Sequence, residues 1–303
     1  MNTASMNMMD PSQRIESALA SALDSLAAPH SPPRLLAAMN YAVFPAGGRI
    51  RPRLCVAVAG ACGDDVPALT DASAAAVELL HCASLVHDDL PCFDDAAVRR
   101  GRPSVHRAFG EPLAVLAGDA LIVLAFETIV RAAASTPDQD PGRLPRLVSA
   151  IARGVGGARG IIAGQAWESE PRVPLAIYHR AKTGALFEAA ALAGAFAAGG
   201  DGAAWSRFGQ RFGEAYQVAD DIGDASGDPD EIGKPVGVDA ALGRPSAVRS
   251  FGARGAESRL HRLLLEAGEA VPPCCCEADL KTWIAHVTER LLGAPAEPRK
   301  ATG

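Results

Sequence analysis

Residues 87–101 read HDDLPCFDDAAVRRG: four aspartates fall within eight residues, and two arginines close the stretch. The residues before it are apolar at helical intervals, which predicts a helix over 68–90 with His81, Ser84 and Asp88 on one face. Asp88 and Asp89 end that helix, where the backbone dipole already disfavours anions. Pro91 breaks the run and returns Asp94 and Asp95 toward them. Carboxylates this dense need a cation. A cluster of hard oxygens suits Mg²⁺, which keeps several waters and usually bridges to substrate phosphates.

A second acidic cluster, YQVADDIGD at 216–224, sets Gln217, Asp220, Asp221 and Asp224 at helical spacing. Two such helix ends facing each other across a bundle would hold Mg²⁺ between them; the alternative is a pair of solvated acidic helix ends. The basic residues decide the use of the cations. Arg49, Arg51 and Arg53 in PAGGRIRPRL, Arg99, Arg100 and Arg102 in RRGRPSVH, Lys182 in YHRAKTGALF and Lys234 in IGKPVG all sit beside small or turn-forming residues. Arg offers a planar fork to phosphate oxygens and Lys a point charge. Acidic, basic and otherwise apolar helices together suit a diphosphate carried on a hydrocarbon tail.

Composition supports packed helices. Of 303 residues 49% are hydrophobic and only 5% aromatic, and Ala dominates many segments. Helices are predicted at 11–26, 33–44, 50–62, 68–90, 104–109, 112–134, 143–168, 174–199, 202–224, 245–251, 256–270 and 277–292, in an all-α protein of one domain spanning 1–303. The Gly-, Pro- and Asp-rich segment 225–244 reads as a surface loop, and the ends near 1–10 and 294–303 as disordered. A formal charge of -6 argues against a nucleic-acid or anionic-membrane surface. The N-terminus lacks the pattern of a signal peptide, so a cytoplasmic protein is expected. Segment 112–135 is apolar but interrupted by Asp119, Glu127 and Arg131, which reads as a buried helix and no membrane span, with Asp119 a buried polar group. Seven cysteines without a CxxC pair suggest reduced thiols, and the run Cys274–Cys276 is expected to serve packing.

The ordered set GGRIRP, HDDLPCFDDAAVRRGRPSVH, GDAL, GQAWE, YHRAKTGALF, YQVADDIGDASGD and IGKPVG resembles the short-chain trans-polyprenyl diphosphate synthases over nearly the whole chain, most of all bacterial geranylgeranyl diphosphate synthases of carotenoid pathways. The resemblance implies an isoprenoid synthase helical bundle around a central cavity, a homodimer, and three Mg²⁺ ions per active site. It implies that Asp88, Asp94 and Asp220 ligate Mg²⁺, supported by Asp89, Asp221 and Asp224. Arg99, Lys182 and Lys234 would hold the allylic diphosphate; Arg51, His81 and Arg100 would form the metal-free pocket for isopentenyl diphosphate; Thr183 and Gln217 would lie along the reacting carbons. The family's usual lysine before Arg49 is replaced by Gly48, so Arg49 is the expected substitute, and a KxTY-like segment is replaced by GRPSAV.

The implied reaction is ionisation of an allylic diphosphate, attack by the alkene of isopentenyl diphosphate and loss of a proton. In the family a bulky aromatic five residues before the first aspartate stops growth at C15. Here that position is Ala83 beside Ser84, which predicts C20 geranylgeranyl diphosphate, with Leu79 and Leu80 as candidates for the pocket floor. One helical turn, about 5.4 Å, is close to an extended isoprene unit. Rival readings are a farnesyl diphosphate synthase, a class I terpene cyclase, which binds one diphosphate, a metal phosphohydrolase built on His87 and Asp88, and a regulatory subunit of a catalytic homologue.

Overall fold

Proline within the first turn, where its missing N–H is no loss, opens four helices of the computed structural model: α1 (Pro11–Asp24), α2 (Pro33–Val43), α4 (Pro67–Asp88) and α6 (Glu111–Ala134). The structure describes residues 10–137, 139–226 and 245–291. The other helices are α3 (Ile50–Ala61), α5 (Val105–Phe109), α7 (Arg143–Val155), α8 (Ile161–Ala166), α9 (Leu175–His179), α10 (Ala185–Ala197), α11 (Gly202–Ser226), α12 (Ala247–Glu269) and α13 (Glu277–Leu291). The fold is all-α apart from one small hairpin. Segment 225–244, with Lys234, lies outside the described residues beyond Ser226, as do the two chain ends.

Two helices are apolar on nearly every side and lie at the centre, as such helices must. α4 buries Ala74–Leu80 without interruption, and α10 buries Ala185–Phe187 and Ala189–Ala195. α4 packs along α6 and α3, while α10 packs along α11, α3 and α7. Phe187 joins α10 to α11 by ring contacts of 5.7 Å with Phe212 and 4.9 Å with Tyr216. One apolar cluster runs from Ile15 to Val287, and a smaller one seats α12 on α11 through Val218, Leu260 and Leu263.

The structure refines the elements expected from the sequence. The helix predicted over 143–168 breaks between Val155 and Ile161, where the glycine-rich run GVGGARG turns the chain before α8 and a 3₁₀ turn, Trp167–Ser169. The helix predicted over 174–199 is instead α9 and α10 joined by a π turn, Arg180–Gly184. The hairpin β1 (Val98–Arg99) and β2 (Arg102–Pro103) was not expected. Its two-residue loop has Arg100 at φ 54° and Gly101 at φ 73°, the left-handed pair that matches the twist of the strands. The separate segments expected at 245–251 and 256–270 are the two parts of α12, which is broken at Gly252, φ 71° and ψ 167°.

Two helices, α4 and α6, are long and apolar enough by composition to cross a membrane. In α4, 78% of that apolar window is buried inside the protein. α6 is only 44% buried, so its predicted burial is corrected: Val115, Leu116, Val123 and Val130 are exposed. Asp119 is exposed on the same helix, with His87 Nε2 at 3.7 Å.

Candidate active site

The C-terminal end of α4 is folded back on itself by its own backbone. Asp94 N–H donates to the Asp88 carbonyl at 3.0 Å, Asp95 N–H to the Leu90 carbonyl at 3.1 Å, and Ala96 N–H to the Asp89 carbonyl at 3.2 Å. These bonds bring Asp94 beside Asp88. Both line a cavity of about 1010 Å³, and Asp220 and Asp224 of α11 line it too. Burial, reinforced by the charges of Asp94 and Glu168, pushes the Asp88 carboxyl up to about 6, against the pull of Lys182 and Arg99. A carboxylate raised in this way is one that a cation would stabilise.

Among the described residues, no group of three or more His, Cys, Asp or Glu side chains lies close enough to hold a metal by itself. That suits Mg²⁺, which takes one or two carboxylates together with water and substrate phosphate rather than a closed protein cage. Asp88, Asp94, Asp220 and Asp224 are the aspartates that line the cavity where it would bind, with Asp95 beside them. Asp89 and Asp221 are both 2% exposed and do not line the cavity. Asp89 accepts from Arg99 Nε at 3.0 Å. Asp221 accepts from Gln217 Nε2 at 2.7 Å and from the Ala247 N–H at 2.6 Å. Asp95 lines the cavity and pairs with Arg107 at 2.8 Å.

The cations divide into two groups. Lys182 is placed by the π turn, the kind of helix irregularity that recurs at functional sites. It pairs with Glu168, which also accepts from the Tyr178 hydroxyl at 2.6 Å and from Gln165 Nε2 at 3.3 Å. Thr183, next in the turn, donates its hydroxyl to Gln217 Oε1. Gln165 and Tyr178 line the cavity with Lys182 and Thr183. Glu168 and Tyr178 were missed by sequence reasoning, although Glu168, three residues after Gln165 in GQAWE, shares its helical face.

Arg51, His81 and Arg100 form the second group and also line the cavity. Arg51 Nη1 lies 3.5 Å from His81 Nε2, and its guanidinium stacks 4.4 Å above the Phe187 ring. Burial is the main reason that the His81 pKa falls well below its usual value, with Arg51, Arg100, Arg99 and Arg49 adding to it, so His81 is neutral at pH 7. Burial also lowers the Arg51 pKa. Arg100, held in the hairpin turn, donates to the Pro45 carbonyl at 3.3 Å and lies 3.8 Å from Glu78.

Arg49 is a correction. It is 5% exposed, does not line the cavity, and is consumed by Glu16 at 2.8 Å, Glu78 at 2.7 Å and the Val43 carbonyl at 2.9 Å. It therefore does not substitute for the cation that Gly48 lacks. Leu79 is another: it is fully buried away from the cavity, whereas Leu80, Ala83 and Ser84 line it. The apolar wall is completed from other helices by Ile122, Val155, Ile161 and Leu186.

A family model for polyprenyl synthetases matches residues 32–272. The chain is 52% identical over 287 residues to a geranylgeranyl diphosphate synthase of Cereibacter sphaeroides, covering 95% of this chain and 98% of that protein. It is 50% identical over 292 residues to the enzyme of the same name from Rhodobacter capsulatus, covering 96% and 100%. Among solved structures, a geranyltransferase of Helicobacter pylori complexed with magnesium and isoprenyl diphosphate superposes with a TM-score of 0.79 at 29% identity, covering 96% of this chain and all of that one.

Proposed function

The chain belongs to the polyprenyl synthetase family, and from that premise we propose that it condenses isopentenyl diphosphate head-to-tail with allylic diphosphates to make geranylgeranyl diphosphate. The observation that carries this reading is the single cavity. It joins both aspartate motifs, two separate groups of cations and an apolar wall that is open at Ala83.

Lys182 and Arg99 bind the allylic diphosphate at the aspartate end. Bound to Asp88, Asp94 and Asp220, Mg²⁺ supplies neutralising charge for the leaving diphosphate; three ions per site is the stoichiometry carried with this reading. Arg51 and Arg100 hold the second diphosphate, and neutral His81 adds a hydrogen-bonding ring without a third charge. Thr183 and Gln217 line the same cavity and are assigned to the carbons that react. Once the new bond has formed, the proton leaves to the released diphosphate, so no side-chain nucleophile is required. Lys234 is assigned to the allylic diphosphate from the sequence motif alone.

Ala83, 1% exposed and on the cavity wall, leaves room for a tail beyond C15. The exposed Val115, Leu116, Val123 and Val130 of α6 support a homodimer, since exposed apolar side chains along one helix suit an interaction site. All seven cysteines are free thiols, which supports a reducing cytoplasmic compartment. The test is incubation of the purified protein with Mg²⁺, isopentenyl diphosphate and each of the C5, C10 and C15 allylic diphosphates, with chromatography of the dephosphorylated products. A C20 alcohol is expected. A C15 end point would overturn the pocket argument alone, and no product at any Mg²⁺ concentration would overturn the enzyme.

A further inference from the structure

We propose that His179 is a positioning residue that acts through Asp221 to hold the Gln217 amide with its oxygen toward the reacting carbons. The proposal rests on the prenyltransferase reading and specifies how the cavity is polarised. His179 is 3% exposed, closes α9, and does not itself line the cavity. Its Nε2 lies 3.2 Å from Asp221 Oδ2, faces it without the geometry of a hydrogen bond, and has no hydrogen-bonding partner among the described residues.

Asp221 is bonded from two elements and faced by His179 from a third. Gln217 Nε2 of α11 donates to Oδ1 at 2.7 Å, the Ala247 N–H at the start of α12 donates to Oδ2 at 2.6 Å, and His179 faces Oδ2 from α9. A carboxylate in this position accepts only the NH₂ end of the Gln217 amide. The flipped amide would set oxygen against oxygen. Its oxygen must then point the other way, where it accepts the Thr183 hydroxyl hydrogen. Thr183 and Gln217 both line the cavity. The negative ends of an amide and a hydroxyl dipole are thus aimed at the place where an allylic cation develops, and they need no reorganisation during the reaction. Without His179 the carboxylate keeps the Ala247 N–H bond but loses the ring that faces Oδ2, and its hold on the sense of the amide loosens.

The experiment is a double-mutant cycle of His179→Leu and Gln217→Leu, read in the full-length protein by steady-state kinetics with C15 allylic and isopentenyl diphosphates. His179→Leu is expected to lower kcat about tenfold, less than the full loss of an oriented catalytic dipole, while KM for each diphosphate stays within about twofold, the spread of an uncoupled change. In the Gln217→Leu background the same substitution is expected to change kcat by less than about twofold, because the residue through which it acts is gone. Additive effects would overturn the proposal. His179→Gln, which keeps a donor, is expected to restore most of the rate, and His179→Ala carries the cycle if the leucine variant does not fold. An independent readout is the ¹H–¹⁵N signal of the Gln217 side-chain amide, assigned by its loss in Gln217→Leu. It is expected to move in His179→Leu; an unmoved signal overturns the proposal even if the wild-type chain makes no prenyl product, which would separately reject the functional reading.

Discussion

Asp88 is the residue where burial and charge oppose each other most directly. Its carboxyl is raised from 3.8 to about 6, chiefly by desolvation. A raised acid binds more protons folded than unfolded, so its contribution to stability is complete below about pH 4 and is lost as pH rises through 6. Asp88→Asn removes that loss. The metal-free variant is expected to melt at a higher temperature than wild type at pH 7 and to show a shallower decline between pH 4 and 6, measured by scanning calorimetry. Mg²⁺ binding at pH 6 is expected to release a proton from wild type but not from Asp88→Asn, as read by titration calorimetry in buffers of different ionisation enthalpy. Arg51 is the residue on which the second diphosphate depends, since Arg49 is spent on Glu16 and Glu78. Loss of a charge-assisted bond of about 1.5–3 kcal/mol predicts that Arg51→Ala raises KM for isopentenyl diphosphate about 10- to 100-fold. An unchanged KM would reject its assignment.

At the scale of elements, α4 does two jobs on one face: Asp88 ends it, and Leu80, Ala83 and Ser84 line the cavity above. Ala83→Tyr is expected to shift the main product from C20 to C15, by filling the first turn; a C20 product from this variant would show that the floor lies on α6, α7 or α10 instead. The π turn is the other decisive element. Gly164 of α8 passes so close that an added Cβ would stand 2.3 Å from Lys182 Cα. Overpacking of this kind costs about 1–3 kcal/mol, so Gly164→Ala is expected to lower the melting temperature and to reduce kcat by displacing Lys182. Melting followed by circular dichroism, together with product assays, checks both. The acidic ends of α4 and α11 were legible from sequence because aspartates at helical spacing beside apolar turns have few other uses. The π turn and the type I′ hairpin were not, since both depend on backbone dihedrals that RAKTG and RRGR only permit.

For the whole molecule, the exposed face of α6 is what the folded chain leaves unfinished, with Val123 exposed to 66%. Val123→Glu is expected to convert a dimer to a monomer, as measured by light scattering; a monomeric wild type would remove this use of the face. The sequence by itself determined the helical class, the two carboxylate clusters and the need for a cation, and it pointed to a diphosphate ligand with an apolar tail, because helical periodicity and charge are properties of neighbours along the chain. It also marked Lys182, Thr183 and Gln217, through the motifs that hold them. Only the tertiary structure decided which charges are free for a ligand and which are spent on one another. Arg49 lies two residues from Arg51, yet Glu16 and Glu78 claim it, 33 and 29 residues away in the chain. Glu168 and His179 entered the site by the same route, through partners brought near by packing. Removing water from two charges is costly and is offset only where they meet closely with further hydrogen bonds, and that depends on distance in space, which spacing along the chain does not record.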